Sequence, residues 1–149
     1  MMANHATRRG FMLGVLATAA LLGGCAGMGM GNSKERVVIQ VSDADPKTWN
    51  QALNVVANMK ANYAKRHVES EIQIVAFGMG IQMLKDDAVV ANRVRESMKN
   101  GGAQMIACEN SMGRFKLTKD MMVDNIAYSE TGVLYIIEKQ REGWSAIRP

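Results

Sequence analysis

Cys108 is the residue of this 149-residue chain whose type and setting best suit covalent chemistry. It closes the apolar run Ala103–Cys108, AQMIAC, and polar, turn-forming residues follow at once. The one other cysteine, Cys25, lies far upstream in a different kind of segment. A cysteine acts as a nucleophile only as its thiolate, a form favoured by helix N-termini and nearby cations. Asn110 and Ser111 can open a helical turn whose N–H groups point back at the sulfur. Arg114 and Lys116 are close in sequence, and Glu109 opposes them. The same residue has a bland reading, because free cysteine is among the most buried residue types and an apolar strand is ordinary core.

Other groups add less. Gly78-Met79-Gly80 lacks the further glycine and the position after the first strand that a dinucleotide loop needs, so it reads as a tight turn. Asp43 and Asp45 read as turn and capping residues. His67, the one histidine beyond the leader, falls in a polar stretch and reads as a solvated loop residue. No Cys/His cluster has zinc spacing, and neither a metal site nor a cofactor is implied. A weaker reading uses Cys108 with Met79 and Met112 as soft ligands for Cu(I). The thirteen methionines are scattered, which suits core filling better.

The first residues read as an export signal over 1–24. Thr7-Arg8-Arg9 and Phe11 resemble a twin-arginine motif, and a short apolar stretch from Phe11 to Leu22 follows. Leu22-Gly23-Gly24-Cys25 resembles a lipobox, which would make Cys25 the lipidated first residue of the mature chain. Lipid there ties the protein to a membrane, since each buried methylene is worth about 0.8 kcal/mol. Ala26 fits sorting to the outer membrane, on the periplasmic side. Residues 25–35 read as a flexible tether. With Cys25 consumed by lipid, Cys108 has no disulfide partner within the chain.

The elements that position these groups occupy 36–149. That length holds one domain with a real core, and 48% hydrophobic and 21% charged residues are ordinary for a globular fold. Setting the leader arginines aside lowers the formal charge from +4 to about +2. With no basic stripe interleaved with aromatics, nucleic acid is not an expected partner.

Nearly continuous apolar runs predict strands at Arg36–Ser42, Glu71–Phe77 and Ala103–Cys108. Asp45 and Pro46 predict the cap and first position of a helix reaching Lys65, with Trp49, Leu53 and Val56 on its inner face. A second helix carries Val90, Val94 and Met98, capped by Asp86 or Asp87 and stopped by Asn100-Gly101-Gly102. Ser111–Val123 reads as broken helix and Ile126–Tyr128 as a short strand. Ser129 is expected to cap a last helix with Val133, Ile136, Ile137 and Gln140 on one side, before a closing strand at Trp144–Pro149.

This alternation predicts a three-layer α/β/α domain with a mostly parallel sheet of about five strands. Right-handed crossovers gather the loops after the strands on one edge, where such folds bind ligands. That edge collects Asp43, Gly78, Met79, Gly80, Cys108, Asn110 and Ser111 as the candidate site.

Four stretches within 36–149 carry a resemblance to the DsrE/DsrF-like family of small α/β proteins linked to sulfur metabolism. They are VVIQVSDADPKTWNQALNVVANM, IQIVAFGMGIQML, AQMIACENSM and the terminal TGVLYIIEKQREGWSAIRP. The resemblance implies a parallel-sheet domain that often forms homo-oligomers. It also implies a cysteine after the third strand that accepts sulfane sulfur as a persulfide and passes it between a donor and an acceptor, protein or small sulfur species. Cys108 occupies that position. Many relatives carry a histidine before the glycine turn, where this chain has Phe77, so no base comes from there. The multi-subunit relays of the family are cytoplasmic, whereas this leader points outward. The alternative from a different class is a non-catalytic ligand-binding or assembly module with Cys108 as packing.

Overall fold

The computed structural model describes residues 34–149. The leader, Cys25 and most of the tether lie outside the described residues. Five strands form one sheet: β1 Glu35–Val41, β2 Ser70–Ala76, β3 Gln104–Cys108, β4 Ala127–Ser129 and β5 Ser145–Ile147. Their order is β4-β3-β2-β1-β5, and every pair is parallel. Four helices accompany them: α1 Pro46–Lys65, α2 Ala91–Met98, α3 Glu109–Arg114 and α4 Gly132–Arg141. The expected three-layer α/β/α architecture is the observed one.

The central strands are apolar on both sides because both faces are covered. On one face Ile39, Ile74 and Met105 meet α1, α2 and the 3-10 segment Gly78–Leu84 in the larger core. Full burial of such side chains is worth about 1.5–3 kcal/mol each. The other face, Val38, Val75 and Ile106, is covered by α4 with Ile136 and Trp144. A short polar chain lies there too: the Tyr135 hydroxyl donates to Gln73 Oε1 at 2.9 Å, and Gln73 Nε2 donates to Gln104 Oε1 at 3.0 Å.

Winding explains why one helix covers a whole face. From β1 to β4 the chain steps steadily across the sheet, and β5 then returns to pair with β1. The link from β4 to β5 must recross the sheet, and α4 is that link, packing against β1, β2, β3 and β5. Its first turn therefore begins over the carboxyl ends of β2 and β3.

Local chemistry at α1 is as expected: Asp45 accepts from the Lys47 N–H at 2.9 Å and Pro46 opens the helix. Three expectations need correction. Neither Asp86 nor Asp87 caps α2, which starts at Ala91 with Val90 in the cap position. The bridge between Lys85 and Met122 and the turn after it hold the chain out of helix until there, and Asp86 pairs with Arg95 instead. Ser129 does not cap α4 either, because the β3–β4 ladder continues to the pair Cys108–Ser129, and Thr131 takes the cap position. Finally, α4 is rotated from the expected face: Gly132 and Ile136 are buried, whereas Val133 and Ile137 are 46% and 37% exposed.

Smaller boundaries moved as well. α3 begins at Glu109 rather than Ser111, directly off β3, and the remainder of the broken helix is a 3-10 turn at Lys119–Met121.

Candidate functional site

Cys108 ends β3 and is also the residue from which α3 departs. Alternation along β3 sends its side chain to the same sheet face as Ile106, toward α4. There Sγ accepts a hydrogen bond from the Gly132 N–H, the first residue of α4, at 3.3 Å. The thiol in turn donates toward the Glu130 carbonyl oxygen at 3.8 Å. Thr131 makes no capping bond to its own helix. The sulfur takes that part from across the sheet.

Gly132 is what allows the approach. A Cβ on it would stand 3.1 Å from Phe77 Cβ, 3.2 Å from Cys108 Cβ and 3.3 Å from Val75 Cγ1. Any larger residue would push α4 away from the thiol. The strap Glu130-Thr131 lies beside the sulfur and is tied to α3 twice: the Asn110 N–H donates to the Glu130 oxygen at 3.1 Å, and Asn110 Nδ2 donates to Thr131 Oγ1 at 2.9 Å. Cys108 is consequently 4% exposed. It is neither open at the rim nor sealed in hydrocarbon, since polar backbone faces it.

Other residues of the edge serve this arrangement. Ser111 Oγ accepts from the Gly78 N–H at 2.8 Å, joining the turn after β2 to α3. Gly78 takes φ +54, and Gly80 lies so close to β1 that a Cβ would sit 2.3 Å from the Val41 oxygen. Met79 between them is 47% exposed. Asp43 does turn work: it accepts from the Asp45 N–H at 3.2 Å, its carbonyl accepts from Trp49 Nε1 at 2.8 Å, and Arg148 stands 3.8 Å away.

Charges near the thiol are mostly occupied. Lys119 stands 3.4 Å from the Glu109 carboxylate and 4.3 Å from the centre of the Tyr128 ring. Burial pushes the Tyr128 phenol up, with Lys119 pulling the other way. Arg114 lies over the Phe115 ring. His67, with φ 54, follows α1 at the opposite edge of the sheet, so it forms no couple with Cys108 within one chain. Met112 packs into the core on the far face, which separates it from the thiol and removes the Cu(I) trio. Among the described residues no group of three or more His, Cys, Asp or Glu could hold a metal ion.

The residues that surround the sulfur most closely, Glu130, Thr131 and Gly132, were absent from the expected site. Their part in the site rests on a close approach across the sheet, which the residue types of α4 do not mark. A groove between α1 and α2 lies away from this edge, lined among others by Leu53, Lys60 and Arg93.

A family model described as DsrE/DsrF-like family matches residues 35–149. Among solved structures, a protein of unknown function from Methanobacterium thermoautotrophicum, MTH1491, aligns with TM-score 0.72 and 27% identity. The alignment covers 78% of this chain and all of that one. A conserved protein of unknown function from Bacteroides thetaiotaomicron, BT1422, shares the fold at TM-score 0.58 and 18% identity, over 77% of this chain and 95% of that one. No curated protein matches the chain.

Proposed function

The chain belongs to the DsrE/DsrF-like family, and on that premise we propose that it carries sulfane sulfur as a persulfide on Cys108. The observation that carries this reading is the Gly132 N–H aimed at Sγ. The N-terminus of a helix holds about half a positive charge, and an anion there gains typically 0.3–1 kcal/mol, up to about 2 when partly buried. A thiolate and a persulfide anion both benefit, and neither needs a metal or a cofactor.

The transfer needs no net oxidant. The Cys108 thiolate attacks the outer sulfur of a donor persulfide, the donor's S–S bond breaks, and the electron pair leaves with the donor's inner sulfur as a thiolate. The transferred sulfur keeps its proton and stays on Cys108. Passing it on repeats the exchange with an acceptor thiolate. Access requires the Glu130-Thr131 strap to lift, and its ties to Asn110 are the bonds to break.

In this reading the leader carries the domain out of the cytosol and lipid on Cys25 holds it to a membrane, the outer membrane of the periplasm being the favoured site. Self-association would use the exposed apolar face of α4, Val133, Leu134 and Ile137, with Ile147 beside it on β5. A size measurement on the purified full chain tests that part.

The burial of Cys108 favours the competing reading, a binding or assembly module in which the thiol is packing. Mass spectrometry of the full chain after polysulfide treatment separates the two. Sulfur transfer requires an added mass of one sulfur atom, about 32 Da, on the proteolytic peptide that carries Cys108 in the wild type and none on that peptide in Cys108→Ser. A wild type that takes up no sulfur leaves the packing reading.

A further inference from the structure

The groove between α1 and α2 offers chemistry unconnected with the thiol. It encloses about 670 Å3, within the roughly 300–1,000 Å3 of small-molecule sites. Its floor is apolar: Leu53, Val56, Ala57 and Ala64 follow one another along one side of α1. The helix between Leu53 and Ala64 gives the floor a length of about 16 Å at 1.5 Å per residue. The small side chains of Ala57 and Ala64 on α1 leave that length open, and Gly102 after α2 borders it.

Its charge is one-sided. Arg93 reaches from α2 to α1, donating to Asn50 Oδ1 and, at 2.7 Å, to Asn54 Oδ1. Lys60 also lines the groove, with Nζ 3.2 Å from the Ser70 carbonyl oxygen. Among the described residues neither cation has a carboxylate partner. The acid of the lining, Glu96, is taken by Lys99 at 2.6 Å. Two uncompensated positive charges thus overlook an apolar trough. Buried Ser97 Oγ, on the same lining, has no hydrogen-bond partner.

We propose that this groove binds an amphipathic anion, an aliphatic chain ending in a carboxylate. The chain lies along the α1 floor and the carboxylate meets Arg93, whose guanidinium retains free N–H donors, with Lys60 adding to the field. A cationic amphiphile of equal length meets repulsion at the same place, and a neutral one loses the ionic contact.

The test titrates dodecanoate, below its micelle concentration, into the full chain, with amide chemical shifts and calorimetry as readouts. Saturable shifts at Ala57, Ala64 and Gly102 are expected. The double variant Lys60→Gln/Arg93→Gln should bind about tenfold more weakly, and added salt should weaken the wild type in the same sense. Ala57→Trp should fill the trough and abolish binding while the melting temperature holds. If that variant does not fold, the double variant still decides. Equal affinity for dodecyltrimethylammonium would overturn the proposal. So would shifts confined to the exposed face of α4. Groove shifts that follow protein concentration without any amphiphile would make a second copy the occupant, and would likewise overturn it.

Discussion

The Gly132 N–H donates to Cys108 Sγ at 3.3 Å, joining residues far apart in the chain across the face of the sheet. One hydrogen bond thus seats α4 and places a backbone donor at the sulfur. The same closeness hides the thiol, which is 4% exposed.

Access should depend on Asn110. Asn110→Ala removes the bond to Thr131 Oγ1 and leaves the backbone bond to Glu130. A bond worth about 0.5–1.5 kcal/mol net implies about twofold to thirteenfold faster maleimide labelling of Cys108 through local opening. Unchanged labelling would mean that the route to the sulfur does not pass under this strap.

Gly132→Ala should loosen the seat of α4. Its Cβ meets three atoms at 3.1–3.3 Å. Overpacking of about 1–3 kcal/mol opposes a helix-propensity gain of up to about 1, so a net loss of about 1 kcal/mol is expected in urea unfolding. Labelling of Cys108 should also quicken.

The turn after β2 should be intolerant in two distinct ways. Ser111→Ala strips the half-buried Gly78 N–H of its acceptor, at a cost of about 1 kcal/mol, while leaving a folded protein. Gly80→Ala places a Cβ 2.3 Å from the Val41 oxygen, backbone against backbone. It should exceed the roughly 1–3 kcal/mol of ordinary overpacking and yield little folded material on expression.

Alkaline pH should weaken the α4 face through Tyr135. Burial pushes this phenol above its ordinary 10.0, with Lys139 and the Gln73 hydrogen bond pulling it down. A raised value means the folded chain keeps a proton that the unfolded chain has lost. The contribution is therefore whole below pH 10 and fades as pH rises through the folded value. Lys139, raised by its hydrogen bond to Glu142, fades in the same direction. Tyr135→Phe should be less stable near neutrality by about 1 kcal/mol, from the lost bond to Gln73. The gap to wild type should close in urea titrations above pH 10. A gap constant across that range would show that the phenol does not titrate with folding.

What is local in origin was readable from residue types. Asp45 and Pro46 announce α1 because a carboxylate accepting an N–H and a pyrrolidine ring with its φ already set act within one turn. VVIQV, IQIVA and QMIAC announce buried strands, and their alternation with helices announces a parallel sheet with its loops on one edge. That topology put Gly78 and Ser111 on the same edge, and the structure joins them directly at 2.8 Å. The faces of α4 were not readable. Val133, Ile136 and Ile137 are all apolar, and nothing within ten residues of helix says that Gly132 and Ile136, not Val133 and Ile137, meet the sheet.

By itself the sequence determined the order of elements, the family and the position of Cys108 at the end of β3, because these follow from neighbours along the chain. Only the tertiary structure decided what surrounds that thiol. Glu130 and Gly132 reach it because the last crossover must return over the whole sheet to place β5 beside β1. That path is a property of the closed sheet, and no window of sequence around Cys108 contains it.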